Sequence, residues 1–371
     1  MNRYYSYPSI AHWGSATAKD RDFESGCVAL ARDDMWVGKN YDLDQMIHCA
    51  TGKDMMDGAD LEQRFSDIRD PALQIFWDQV GLSYTVHEKS GHSWLSFVPK
   101  SALEDQKKLP VILVFRPACI FAQSFYFHLN QIAAQGEVIL LYFSTEDTVE
   151  NDLFVDILAD AAEIYPIDLT RVYATGHSHY GEFVSTFSAR HPNLLAAVAQ
   201  QCVTPGINLA FGVEQLTEQL RQTDLPLIIL SGYAEMVQVF PVNADAPTEV
   251  DPQWKFILSE KRDDRIQAWQ TRLYACRCPV SSHAEIMAAS NGTMAERMLG
   301  FPTSHSETLH VDGLDYYIGD IQNEEGKNHL RVVCIENFPH TTCKFMHDLS
   351  WSFLRKFARC SKTKKVIHLF A

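Results

Sequence analysis

From residue 82 onward the chain alternates between two apolar patterns. Short continuous runs such as "LPVILVF" (109–115), "EVILLYF" (137–143), "RVYAT" (171–175), "LLAAVAQQC" (194–202) and "LPLIILSG" (225–232) have the character of buried strands. Between them, helical periodicity runs through "DLFVDILADAAEIY", from 179 to 190, and around "VEQLTEQLRQ". Strand and helix in alternation predict an α/β fold with a mostly parallel central sheet and helices on both faces. Ahead of this series, "LSYTVHEKSGHSWLSFVP" predicts two strands about a Ser-Gly turn.

The flanks read differently. Residues 1–81 are polar and weakly periodic, an N-terminal extension with helices expected at "ADLEQRFSDI" and "DPALQIFWDQV". The segment 242–326 also loosens, with helices expected in "KRDDRIQAWQTRLYACRC" and "SSHAEIMAASNGTMAERML"; it reads as an insertion before the final strands. "DYYIGDIQNEEGKNHLRVVCIENF" then predicts two strands joined by a turn. A closing helix is expected over "TTCKFMHDLSWSFLRKFAR", where Phe345, Leu349, Phe353 and Phe357 recur every four residues.

Composition narrows the partners. A formal charge of -15 on 371 residues repels phosphate backbones and anionic membranes, so nucleic acid and membrane are poor partners and a small-molecule or carbohydrate substrate fits better. Homo-oligomerisation is compatible with this composition. Nowhere does the chain reach the roughly 18 apolar residues of a membrane span, and no export signal is visible at its start. Nine cysteines without C-x-x-C spacing suit free thiols in a reducing compartment, which makes the cytoplasm the default expectation.

The stretch "DLTRVYATGHSHYGEF" (168–183) carries the chemistry. A serine hydroxyl attacks a carbonyl only when a base takes its proton and nearby donors stabilise the oxyanion. A sharp turn from a strand into a helix meets the geometric need: it lifts the serine above the sheet and offers the unpaired N–H groups of the helix start. Ser178 stands at such a turn, with Gly176 two residues before it and Gly181 three after. In this architecture a carboxylate and then a histidine follow the serine along the chain. Glu235, beyond "LPLIILSG", and His340, in "ENFPHTTC" between the last long strand and the closing helix, are the candidates. His347 is expected to be helical and to point elsewhere.

These residues in this order resemble the α/β-hydrolase superfamily, and within it the esterases related to polyhydroxybutyrate depolymerases and to feruloyl and acetylxylan esterases, over about residues 82–360. "LPVILVFRPA" is similar to the strand entering the oxyanion loop, "RVYATGHSHYG" to the "RVYxxGxSxGG" elbow, "LPLIILSGYAE" to the "HGxxD" acid turn, and "PHTTCKFMHDLSWSFLRKFAR" to the terminal histidine and helix. The resemblance implies a serine esterase with a Ser178–His340–Glu235 triad, acting through an acyl-enzyme on short acyl or hydroxycinnamoyl esters of carbohydrate or small alcohols. A peptidase or amidase with the same triad, or a hydrolase-fold binding protein without catalysis, are the alternatives.

Two departures bear on the site. Tyr180 replaces a small residue, so either the helix stands off the strand or the ring turns into the mouth of the site. Arg116-Pro117 replaces His-Gly, and proline has no N–H to donate. By position the oxyanion donors would be the backbone N–H groups of His179 and Ala118. Arg116, Tyr180 and His177 are candidates for contact with substrate, Arg116 being equally a structural ion partner. His177 and His179 lack a third ligand at known spacing, so no metal and no cofactor is implied. Residues 1–81 and 242–326 are the segments expected to cover the site.

Overall fold

The computed structural model describes residues 69, 71–115, 129–143, 152–177, 179–191, 193–203, 213–232, 240, 262–311, 314–336 and 344–369. Ten strands hydrogen-bond in the order β1-β2-β4-β3-β5-β6-β7-β10-β9-β8. Pairing is parallel where β3 (Leu109–Phe115) meets β4 (Ile139–Phe143), and where β7 (Leu227–Gly232) meets both β6 (Ala197–Gln201) and β10 (Asn328–Ile335). Antiparallel pairs lie toward the edges: β1 (Leu82–Lys89) with β2 (His92–Pro99), β2 with β4, and β10 with β9 (Leu314–Gln322), which pairs with β8 (His305–Val311). This sheet, parallel in its central pairs and interspersed with helices, is the α/β architecture expected from the alternating pattern. No helix among the described residues is long and apolar enough to cross a membrane.

The described residues fall into two units. The first holds residues 71–174 and 344–351. Helix α1 (Pro71–Gln79) sets its fully buried Trp77 edge-on to Phe97 of β2, with centroids 5.0 Å apart. Ser90 (φ 52°) and Gly91 (φ 82°) close the β1–β2 hairpin as a two-residue turn with positive φ at both positions, which matches the strand twist. Helix α2 (Lys100–Asp105) follows β2. Every residue of β3 and β4 is buried, which is why both read as unbroken apolar runs. Helix α3 (Leu129–Ala134) precedes β4. Helix α4 (Leu153–Ile164) buries Leu153, Phe154, Ile157, Leu158 and Ala161, and the Phe154 ring meets Phe115 and Phe143 edge-on at 5.1 and 4.9 Å. Strand β5 (Ile167–His177) begins in this unit and ends in the second.

The second unit holds residues 175–336 and 352–369. It contains α5 (His179–Arg190), α6 (Val213–Thr223) and α7 (Arg262–Ala275), whose Ala189, Leu216, Leu220 and Ala275 form one buried cluster. Two short helices follow, α8 (His283–Ala288) and α9 (Met294–Leu299). Each opens on a reciprocal cap, Ser282 with Glu285 and Thr293 with Glu296.

Three expectations need correction. The closing helix α10 (Lys344–Leu354) stops before Phe357, which instead opens β11 (Phe357–Arg359) in a hairpin with β12 (Val366–His368). The four-residue repeat continued across the helix end because the hairpin also buries Phe357, at 1% exposure. The loose pattern of 242–326 conceals β8, whereas β9 and β10 are the two strands expected from "DYYIGDIQNEEGKNHLRVVCIENF". β5 starts four residues ahead of "RVYAT", where buried Ile167 and exposed Leu169 alternate with half-buried polar positions and leave no apolar run. The helix expected at "ADLEQRFSDI" lies outside the described residues.

Candidate active site

In the second unit β6, β7 and β10 run parallel, so their carboxyl ends share one edge, with Gln201 opposite Leu230 and Ile335 opposite Gly232. In parallel α/β sheets ligand chemistry collects at this edge. The start of α5 belongs to the same edge. The Gln200 Nε2 on β6 donates to the Gly181 carbonyl in the first turn of α5. A Cβ placed on Gly181 would lie 3.0 Å from Cβ of Val203, two residues beyond the end of β6.

A single residue, 178, separates the last residue of β5, His177, from the first of α5, His179. So abrupt a reversal brings the strand against the helix it feeds. A Cβ on Gly176 would fall 2.6 Å from the carbonyl carbon of Tyr180 and 3.0 Å from the Gly181 nitrogen, and backbone cannot yield as a flexible side chain would. Only glycine fits position 176. Gly181 is needed for a milder reason, its closest neighbour being a valine side chain. This answers the question raised by Tyr180: the helix does not stand off the strand, since Gly176 lies against the Tyr180 backbone, and the displaced second glycine sits where α5 meets the end of β6. The N–H groups at the start of α5, that of His179 among them, have no partner within their own helix, which makes this turn a natural donor site for negative charge.

Five buried polar residues crowd the carboxyl halves of β5, β6 and β7: Thr175, His177, Gln200, Gln201 and Ser231, each at 5% exposure or less. Thr175 Oγ1, Ser231 Oγ and Gln200 Oε1 have no hydrogen-bond partner among the described residues. Buried polar groups of that kind cost free energy, and in native proteins they concentrate where function or bound water accounts for them.

His177 is buried and Tyr180 is half-buried. Ser178, Glu235, His340, Arg116 and Ala118 lie outside the described residues, as does the side chain of His179. What is described is where each departs: Ser178 directly between β5 and α5, Glu235 three residues past β7, His340 five past β10, and Arg116 and Ala118 just past β3. β7 and β10 are adjacent and parallel, so Glu235 and His340 follow neighbouring strand ends. Sequence reasoning overlooked Gln200. The signal was present as two glutamines closing an otherwise apolar strand, "AVAQQ".

No protein-family model and no curated protein matches this chain. Among solved structures it is similar to a ferulic acid esterase (14% identity, 52% of this chain and 85% of that one, TM-score 0.37). It is also similar to FphF, a fluorophosphonate-binding serine hydrolase of Staphylococcus aureus (12% identity, 42% and 80%, TM-score 0.36), and to an S-formylglutathione hydrolase from Agrobacterium tumefaciens (11% identity, 41% and 76%, TM-score 0.34).

Proposed function

We propose that this protein is a serine hydrolase acting on carboxylic esters, with Ser178 as nucleophile, His340 as general base and then acid, and Glu235 as the carboxylate that orients the imidazole. The observation that carries this reading is the compressed β5–α5 turn, in which position 176 admits only glycine and residue 178 alone bridges strand and helix. Such a turn costs stability and has one evident use, the presentation of a side chain at the head of a helix.

In the proposed reaction the Ser178 hydroxyl passes its proton to His340 as the oxygen bonds to the ester carbonyl carbon. The N–H groups of His179 and Ala118 hold the resulting oxyanion. Collapse expels the alkoxide, which takes the proton back from His340, and leaves an acyl-enzyme. Water, deprotonated by the same imidazole, then releases the acid. Arg116, Tyr180 and His177 would shape the entrance, and short acyl or hydroxycinnamoyl esters are the substrate class supported by the sequence resemblance.

Turnover of a series of aryl esters and matched anilides tests the reading. Esters are expected to turn over far faster than anilides, and Ser178→Ala should remove at least about a thousand-fold of the ester rate. Undiminished hydrolysis by folded Ser178→Ala would overturn it, and comparable anilide turnover would move the enzyme to amide bonds.

A further inference from the structure

Beneath the elbow lies a polar chain that the proposed reaction does not use. Gln200, on β6 and fully buried, donates through Nε2 to the Gly181 carbonyl and, at 2.6 Å, to Ser185 Oγ one turn further along α5. Ser185 Oγ also accepts from Arg272 Nη2 of α7 at 2.9 Å. The orientation of the amide is not arbitrary. A backbone carbonyl can only accept, so the atom facing Gly181 must be nitrogen. Burial holds the Cys276 thiol up at about 11 although Arg272 beside it pulls the other way, so no thiolate competes for the guanidinium near neutrality.

We propose that Gln200 is a positioning residue of this site: from β6 it fixes the first turn of α5, and through it the height and direction of the residue-178 hydroxyl. The inference rests on the hydrolase reading above. The two glycines of the elbow let strand and helix approach, but glycine has no side chain with which to hold them and is the loosest of residues in a helix. A directional bond from a neighbouring strand supplies the missing constraint. Packing alone does not explain the choice of residue. An apolar side chain would fill the space without desolvating an amide, whereas here both donor positions of the amide go to α5, and the second is braced by a buried cation. Catalytic geometry tolerates little displacement, so a tether at the helix start acts on rate more than on affinity.

The test is the rate of covalent labelling by a fluorophosphonate, followed by intact mass, together with kcat and KM for an aryl ester. Gln200→Met keeps the length and removes the donor. A cavity of about 20 Å³ lined by Gln200, Ser185, Arg272 and Cys276 gives the thioether room. Labelling is expected to slow by about ten- to a hundred-fold, with the loss in kcat and KM within about two-fold. Gln200→Glu separates positioning from packing. Its ionised carboxylate repels the Gly181 carbonyl, whereas its protonated form donates, so its labelling rate relative to wild type should rise as pH falls from about 8 to 5.5. This variant decides alone if Gln200→Met does not fold. Wild-type labelling matched by folded Gln200→Met, or a pH-independent ratio for Gln200→Glu, would overturn the inference and leave the hydrolase reading intact. Absence of labelling in folded wild type would overturn both.

Discussion

The two ends of the parallel strands differ in what they bring together. Near their amino ends, Asp224 accepts from His329 Nδ1 at 3.0 Å and from Asn323 Nδ2 at 3.0 Å, with an Arg277 nitrogen at 3.7 Å. His329 Nε2 in turn faces Nε2 of His368, on β12, at 3.1 Å. The ring planes differ by 19° while the centroids stand 5.3 Å apart, so the imidazoles meet end to end through nitrogen, the geometry of a shared proton rather than of a metal held between them. Burial pushes the Asp224 carboxyl up, but the His329 hydrogen bond and charge, then Asn323 and Arg277, outweigh it and bring it down to about 2. At the carboxyl edge, where β5 turns into α5, a Cβ at Gly176 would fall 2.6 Å from the Tyr180 carbonyl carbon. A well-formed carboxylate–imidazole pair is therefore no sign of catalysis by itself. At the amino ends the pair ties the β11–β12 hairpin to the sheet, and no serine hydroxyl bonds to either ring among the described residues. What the proposed reaction draws on at the other end is a turn in which only glycine fits position 176 and a single residue, 178, separates strand from helix.

The sharpest way to break this contrast is to crowd the elbow. Gly176→Ala forces backbone to move and is expected to slow fluorophosphonate labelling by at least about a hundred-fold and to cost ~1–3 kcal/mol of stability. Gly181→Ala would set its Cβ 3.0 Å from Val203 Cβ and 3.2 Å from the Gly176 carbonyl oxygen, a looser fit than at position 176, and should have the smaller effect on both readouts. If Gly181→Ala proved the more damaging, the tight point of the elbow would have been misplaced.

The amino-end cluster should instead answer to pH through stability. Burial lowers the His368 pKa from 6.5, with His329, Lys327 and Lys356 adding to the effect and Asp224 opposing it. The folded state then binds fewer protons than the unfolded chain, so this contribution is complete above pH 6.5 and is lost as pH falls through the lower folded value. The depressed Asp224 adds a second loss between about pH 4 and 2. Thermal melting from pH 8 to 5 should show the first decline, by a few degrees. His368→Phe should flatten it while leaving labelling at pH 8 within about two-fold of wild type. An unchanged pH profile in that variant would remove the imidazole pair from the account.

The sequence reveals most where a position is decided locally. Buried strands declare themselves as apolar runs, and α5 matches its expected bounds because the glycine turn before it and Arg190 at its end punctuate it. β8 escaped because it is an edge strand with alternating exposed and half-buried positions, which leave no apolar pattern in "HSETLHV". The tight turn between β5 and α5 was legible from two glycines, although only coordinates show that a Cβ at 176 would press on backbone at 2.6 Å while one at 181 would sit 3.0 Å from Val203. Gln200, Ser185 and Arg272 are invisible as a group because they meet across separations of 15 and 87 residues. Asp224, His329 and His368 are likewise joined across 105 and 39 residues. Chain folding alone brings such sets together, and no spacing rule records it.

Peptide mapping of the fluorophosphonate adduct addresses the central claim most directly. The account predicts a single adduct on residue 178 of the folded wild-type protein, lost in Ser178→Ala and retained in His368→Phe. An adduct on any other residue, or none on a protein that melts cooperatively, would contradict it.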